Sequence, residues 1–326
     1  MSQRRYNQGP AAPKPFDYVP FASRVERGSL TGHHRYDPNL LTGTLHGEIV
    51  VLTPLHIASG GIELTERVAP QFVRHTPLIK AFVRSGGVRV VPGSTLKGAV
   101  RSVVEAITPS TVGIVDRRTG VPQALEGPRG IDKKKPPTNN RLSPADRMFG
   151  VMDYLGPVQF SDAPQIGEAV ALVEQPSLFA PRAQGPVKGR KFYKHGRPAT
   201  GNVPTESVPP TDGRFAWRCD FSNLSAAELG VLLIALGQGE PPLHLKIGGG
   251  KPACYGSVRM QLAELRLRGD VVGDYLSWEG TETVVEPEQY VRAAMDQAGF
   301  VLRPQWQKLS EILQWPNDRD CPSSAY

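Results

Sequence analysis

The chain has 326 residues, 39% of them hydrophobic, enough to bury a core as one large domain or two small ones. No stretch approaches the roughly 20 apolar residues that a membrane-spanning helix needs, and the polar start Met1–Pro15, with Arg4, Arg5 and Lys14, speaks against a secretory signal. Net charge is +7, but residues 270–326 hold ten acidic and four basic side chains, a balance of −6, which leaves +13 on the first 269 residues.

A basic body with an acidic tail is the electrostatic footprint of a polyanion binder. Cys219, Cys254 and Cys321 stand far apart with no Cys-x-x-Cys pair. That spacing predicts neither a disulfide framework nor a zinc knuckle, and it points to a reducing, cytoplasmic compartment without a structural metal.

Residues 1–40, rich in Pro, Gly and Arg, read as an arm rather than packed structure. Thr44–Thr53 alternates and is β-branched, as a strand should be. A second strand, Val88–Val91, leads into Pro92-Gly93-Ser94, where Ser94 or Thr95 is placed to cap a helix reaching about Thr108. Leu96, Val100, Val103, Val104 and Ile107 share one face of that helix, and Lys97 and Arg101, four apart, share another. Residues 109–142 show almost no hydrophobic period and read as a long insertion. Gly156–Phe160 and Ala169–Glu174 follow as short strands, and a second irregular insertion spans 175–212. Within it, Arg182–Arg197 holds six basic residues, no acidic one, and the pair Phe192-Tyr193. Arg214–Phe221 reads as a strand, and Asn223 or Ser225 caps an apolar helix to about Leu236. A glycine-rich loop, Lys246 to Gly256, precedes a last strand, Ser257–Arg266. Two short helices near Pro287–Ala298 and Pro304–Leu313 complete an acidic extension over 270–326.

The order strand, helix, strands, helix, strand predicts an α+β fold with a split βαβ, ferredoxin-like (RRM-like) core over 41–269, from which the two insertions project.

Two segments carry chemistry. In Pro92-Gly-Ser-Thr-Leu-Lys-Gly-Ala-Val-Arg-Ser102 a tight turn presents helix N-terminal N–H groups beside two cations, a phosphate seat. The bland alternative is a capped helix with two solvated cations. In Gly248-Gly249-Gly250-Lys251…Tyr255-Gly256 the glycines let backbone approach a ligand, Lys246 and Lys251 flank the run, and Tyr255 offers a face for a base. No Gly-Lys-Ser/Thr follows at P-loop spacing, and a plain hairpin is the alternative there.

Together these two segments resemble the RAMP superfamily of CRISPR proteins. Ser143-Pro-Ala-Asp-Arg-Met-Phe-Gly150, with Gly156…Phe160-Ser-Asp162 after it, is similar to a segment of type III backbone subunits. Phe16-Asp-Tyr-Val-Pro20, Arg101-Ser-Val-Val-Glu105, Gly189-Arg-Lys-Phe-Tyr-Lys-His195 and Asn223-Leu-Ser…Glu228-Leu-Gly230 extend the likeness from residue 16 to about 266. The resemblance implies a guide-RNA (crRNA) binding backbone subunit of a CRISPR effector complex. It would assemble with neighbouring copies of itself and with other effector subunits, could recruit a separate nuclease, and would present the guide to a target RNA. By motif, Ser94, Thr95, Lys97 and Arg101 would contact guide phosphates, with Lys246, Gly249, Gly250, Lys251 and Tyr255 lining the same groove. Arg190, Lys191 and Tyr193 would make finger or neighbouring-subunit contacts. Asp146 and Arg147 are expected to form a structural ion pair.

Target-cutting members carry an aspartate in the loop before the helix motif. Here its place falls on Val68 or Ala69, and no aspartate occurs between Thr42 and Asp116. Glu63, Glu66 and His56 are the remaining catalytic candidates, and Mg²⁺ is expected only if the chain cleaves. The competing reading is a RAMP endoribonuclease that cuts target or guide precursor, with His46 or His56 as base.

Overall fold

The computed structural model of the chain describes residues 14–112, 121–178, 188–270 and 282–322, apart from single positions at 31, 32, 34, 122, 129, 133, 137 and 138, and in addition 273 and 276. In chain order the elements that place the site begin with β1 (Phe16–Val19), β2 (Leu41–Val51), β3 (Ala58–Leu64), β4 (Leu78–Phe82), β5 (Val88–Val91) and α1 (Gly93–Ile107). Next come α2 (Pro144–Phe149), β6 (Val158–Phe160), β7 (Ala163–Ile166), β8 (Ala171–Gln175), β9 (Arg190–Tyr193), β10 (Val203–Ser207) and β11 (Arg214–Leu224). The last are α3 (Ala226–Leu233), β12 (Leu245–Lys246), β13 (Ser257–Arg268), α4 (Glu288–Asp296) and α5 (Arg303–Ile312). The fold is α+β.

The main sheet runs β12-β13-β2-β11-β7-β5, with β6 also paired to β11. Each of these pairs is antiparallel. β2 sits at its centre because its alternate residues Leu45, Ile49 and Val51 bury one face against the helices. The apolar stripe of α1, Leu96, Val100, Val103, Val104 and Ile107, is at most 1% exposed, as its 3.6-residue period requires. α3 opens with a capping box: Ser225 Oγ accepts from the Glu228 N–H, and the Glu228 carboxylate accepts from the Ser225 N–H at 3.0 Å. Ser225 is therefore the cap, while Asn223 adopts a positive φ at the strand end and holds the backbone of Arg35 and Asp37.

The arm expected over 1–40 is in part packed structure. β1 pairs with β9 of the second insertion, and Val19 (1% exposed) and Leu30 (2%) are buried. Isolated Pro- and Gly-rich sequence gives no sign of this, because the partner strand lies more than 170 positions away. That insertion is likewise not purely irregular: β10 joins β8 and β4 in a second, four-stranded sheet. Arg182 lies outside the described residues. The extension after 270 contributes core as well, through Trp306, Leu309 and Ile312 of α5. Cys254 and Cys321, expected to be separate, are joined as a disulfide with Cα atoms 5.9 Å apart, while Cys219 is free and buried. Their separation of 67 residues hid the pairing, which the return of the C-terminal segment to the glycine-rich loop brings about. No helix among the described residues is long and apolar enough to cross a membrane.

Candidate nucleic-acid interface

A cleft of about 390 Å³ opens where α1, β9 and the glycine-rich loop meet. It takes Ser94 and Thr95 from α1, Lys191 and Tyr193 from β9, and Lys246 and Lys251 from the loop. Three segments that the sequence places about 100 and 55 positions apart thus share one wall, and no lining residue is acidic. Along α1 the cleft follows Ser94, Gly98 and Ser102, an i, i+4, i+8 face of small residues that sequence reasoning passed over. A Cβ added at Gly98 would meet nothing within 4 Å, so this face stays open to a ligand. Leu313, just beyond α5, also lines the cleft.

The start of α1 differs from expectation. Pro92, not Ser94 or Thr95, occupies the cap position, and no side chain of the cap residue itself makes a hydrogen bond. Instead the Gly93 N–H donates to Asp162 Oδ1 at 2.8 Å, and the Thr95 N–H folds back to the Pro92 carbonyl. The chain's own carboxylate therefore holds part of the anion seat that the motif suggested. Gly93 must be glycine because a Cβ there would lie 2.1 Å from the Phe160 carbonyl oxygen. Asp162 was legible only as the last residue of Phe160-Ser-Asp162, without a role.

Lys97 and Arg101 lie on the neighbouring face of α1 and line no part of the cleft. Lys97 Nζ donates to Gln159 Oε1 at 3.3 Å, and burial, with Arg101 next to it, lowers its pKa. Arg101 is committed inward: Nε donates to Glu105 at 2.7 Å, Nη2 to Asp146 at 2.8 Å, and Nη1 to the Gly150 carbonyl at 2.6 Å. Asp146 also accepts from Thr111 and Ser143 hydroxyls. Asp146 and Arg147 are both structural but not partners of each other, since Arg147 pairs with Glu228 at 2.6 Å. Adjacent helical residues point about 100° apart, which separates them. Arg190 joins the same network by pairing with Glu105, and burial lowers its pKa to about 10. Alternate strand residues point to opposite faces, so Lys191 faces the cleft while Arg190 faces the core network. Lys191 Nζ stands 3.7 Å from the ring centre of Phe16 and 4.8 Å from that of Tyr193.

The glycine-rich loop needs its glycines for backbone reasons: Gly248 (φ 74°), Gly250 (69°) and Gly256 (72°) are left-handed. Gly249 and Gly250 border a second hollow instead, with His56, Lys80 and Gln175. Tyr255, expected to stack on a base, is 3% exposed, and its hydroxyl donates to the Ala199 carbonyl at 2.9 Å. It packs with Ala199 and Ala253 in a small satellite core, so its face is occupied.

At the floor of the cleft Lys246 Nζ donates to Ser257 Oγ at 3.2 Å, and Ser257 Oγ lies 2.9 Å from His195 Nδ1. Burial pushes the Lys246 pKa down to about 7, with Lys251 and Arg319 adding to the effect. Burial likewise lowers Lys251.

The catalytic candidates are scattered. His56 is 3% exposed, donates from Nδ1 to the Glu206 carbonyl at 2.7 Å, and has its pKa lowered by burial. Glu63 and Glu66 are exposed on β3 and the following turn and line neither hollow. Ala69 is fully buried, and the Val68 carbonyl accepts from Arg84, whose guanidinium is paired with buried Glu206. Among the described residues no three His, Cys, Asp or Glu side chains gather as a metal site would need.

The family profile described as the RAMP superfamily matches residues 48–259, which takes in α1, β9, the glycine-rich loop and the start of β13. No curated protein matches the sequence.

Proposed function

The chain belongs to the RAMP superfamily of CRISPR-associated, RNA-binding proteins, and from that premise we propose that it is a guide-RNA-binding backbone subunit of a type III or type III-derived effector complex. In this reading it holds the guide RNA by its phosphates, presents it to target RNA beside neighbouring copies and other subunits, and does not itself cut. One observation carries the reading: Ser94, Thr95, Lys191, Lys246 and Lys251, from three distant segments, line one cleft without an acidic residue. An acceptor-only polyanion suits such a wall, to which Lys246 and Lys251 bring donors and no lining residue brings a carboxylate. The sheet order β13-β2-β11-β6, antiparallel at each step, supports a split βαβ core of the ferredoxin-like kind. Lys97 is retained as a contact from the flank of α1, and Arg101 and Arg190 act by holding that flank rigid. Gly249 and Gly250 offer backbone to a ligand in the adjoining hollow.

The test is RNA binding against salt. Each phosphate neutralised adds about −0.7 to the slope of log affinity against log salt for a single strand. Affinity that is flat between low and physiological salt removes the reading. For cleavage, the assembled complex freed of any accessory nuclease should leave target RNA intact with and without Mg²⁺. Regularly spaced cuts that vanish on Glu63→Ala or Glu66→Ala would make the chain a ribonuclease.

A further inference from the structure

Lys246 is bonded to the protein's interior through Ser257, and the hydrogen bonds around it have only one consistent direction. His195 Nε2 lies 3.0 Å from the His244 carbonyl oxygen. A carbonyl only accepts, so Nε2 carries the ring proton and Nδ1 is a bare lone pair. Ser257 must then donate its hydroxyl proton to His195 Nδ1, which leaves its oxygen to accept from Lys246. His195 is fully buried, and burial, reinforced by Lys246, holds its pKa at about 3, so the ring stays neutral at any physiological pH. Burial, with Lys251 and Arg319 nearby, brings the Lys246 pKa down to about 7.

The groups around Lys246 are Ser257 on β13, His195 after β9, Lys251 in the glycine-rich loop and Arg319 in the C-terminal segment. Lys191 and Tyr193 of β9 look across the cleft. None is a carboxylate. As an ammonium Lys246 has three donors and spends one on Ser257. The others call for an anion that the described residues do not supply.

We propose that Lys246 seats a backbone phosphate of the RNA and that the phosphate enters together with a proton, which converts Lys246 from amine to ammonium. The proposal rests on the RNA-binding reading above and adds a residue and a linkage to it. The sign follows from the charges. A phosphate stabilises the ammonium, so bound RNA raises the affinity of Lys246 for its proton. By linkage, affinity for RNA is then constant below about pH 7 and falls as pH rises above it, by at most about tenfold per pH unit.

The experiment titrates purified protein with fluorescein-labelled oligoadenylate between about pH 6 and pH 9, and repeats the binding by calorimetry in two buffers of different ionisation enthalpy. The wild type should lose affinity above neutrality and take up close to about one proton per chain near pH 8. Lys246→Arg, which keeps a fixed charge, and Lys246→Met, which has none, should both bind without that uptake, the second more weakly. Wild-type binding with no proton uptake overturns the proposal while leaving RNA binding standing. So does the same uptake in Lys246→Arg. Should one variant fail to fold, the other, compared with the wild type in the same two buffers, decides. No binding of oligoadenylate at any pH removes the functional reading and the seat with it.

Discussion

Arg101 shows how much one side chain can be asked to hold. Its guanidinium compensates Asp146, whose side chain is 1% exposed, and Glu105, whose side chain is 5% exposed. Removing one partner of a buried pair strands the other charge, at a cost of about 3–5 kcal/mol. Arg101→Ala should therefore lower the urea-unfolding free energy by about that much, and Lys97→Ala by far less, because Lys97 makes one long hydrogen bond. A loss below about 1 kcal/mol in Arg101→Ala would show the network to be slack. Lys97→Ala therefore tests RNA contact from this flank cleanly, whereas Arg101→Ala confounds contact with fold. Lys246 yields a second prediction. Its pKa is lowered from 10.5 to about 7 in the folded chain, so the unfolded chain binds more protons between those values. Stability of the empty protein should hence rise as pH rises from about 7 towards 10, and Lys246→Met should flatten the curve. RNA affinity moves the opposite way over the same window.

Among the elements, α1 does two tasks with two faces. Its apolar stripe supplies core, and its Ser94-Gly98-Ser102 face opens the cleft. Asp162 holds the first N–H of the helix, where a negative charge interacts favourably with the helix dipole. Asp162→Asn can keep an acceptor for Gly93 while removing the charge. It should cost about 0.3–1 kcal/mol of stability and raise RNA affinity, because it removes a negative charge from the N-terminus of α1, next in sequence to Ser94. Denaturant melts and anisotropy titrations on one preparation read both. Unchanged affinity would place the phosphates away from this end of the helix. The pairing of β1 with β9 matters in the same way: Phe16 supplies a ring beneath the Lys191 ammonium, so the N-terminal strand helps to shape the cleft wall.

For the molecule as a whole, the C-terminal segment is part of the basic body rather than a separate appendage. α5 buries Trp306, Leu309 and Ile312, Arg197 pairs with Asp320 at 2.8 Å, and Cys321 is bonded to Cys254 in the glycine-rich loop. The exposed Arg197–Asp320 pair adds little, whereas a crosslink spanning 67 residues restricts the unfolded chain substantially. Cys321→Ser should lower the unfolding free energy of oxidised protein by about 2–4 kcal/mol and leave reduced protein unchanged. Equal stability of the variant and oxidised wild type would show that the bond contributes nothing.

Local pattern was enough for α1, β2, β5, β13 and the two C-terminal helices, because a strand or helix that buries one face writes its period into adjacent residues. Family membership was legible too, since Pro92-Gly-Ser-Thr-Leu-Lys-Gly98 and Gly248–Gly250 are short contiguous motifs. What a cation does was not. Lys191 and Arg190 are neighbours of the same type, yet one lines the cleft and the other pairs with buried Glu105, and only strand pairing assigns those faces. Tyr255 and Lys246 both belong to the glycine-rich segment, yet packing against Ala199 buries the tyrosine while the floor of the cleft keeps the lysine. Composition counts charges and motifs place them along the chain. Whether a charge meets a carboxylate or an open cleft depends on contacts between residues far apart in sequence, and those exist only once the chain has folded.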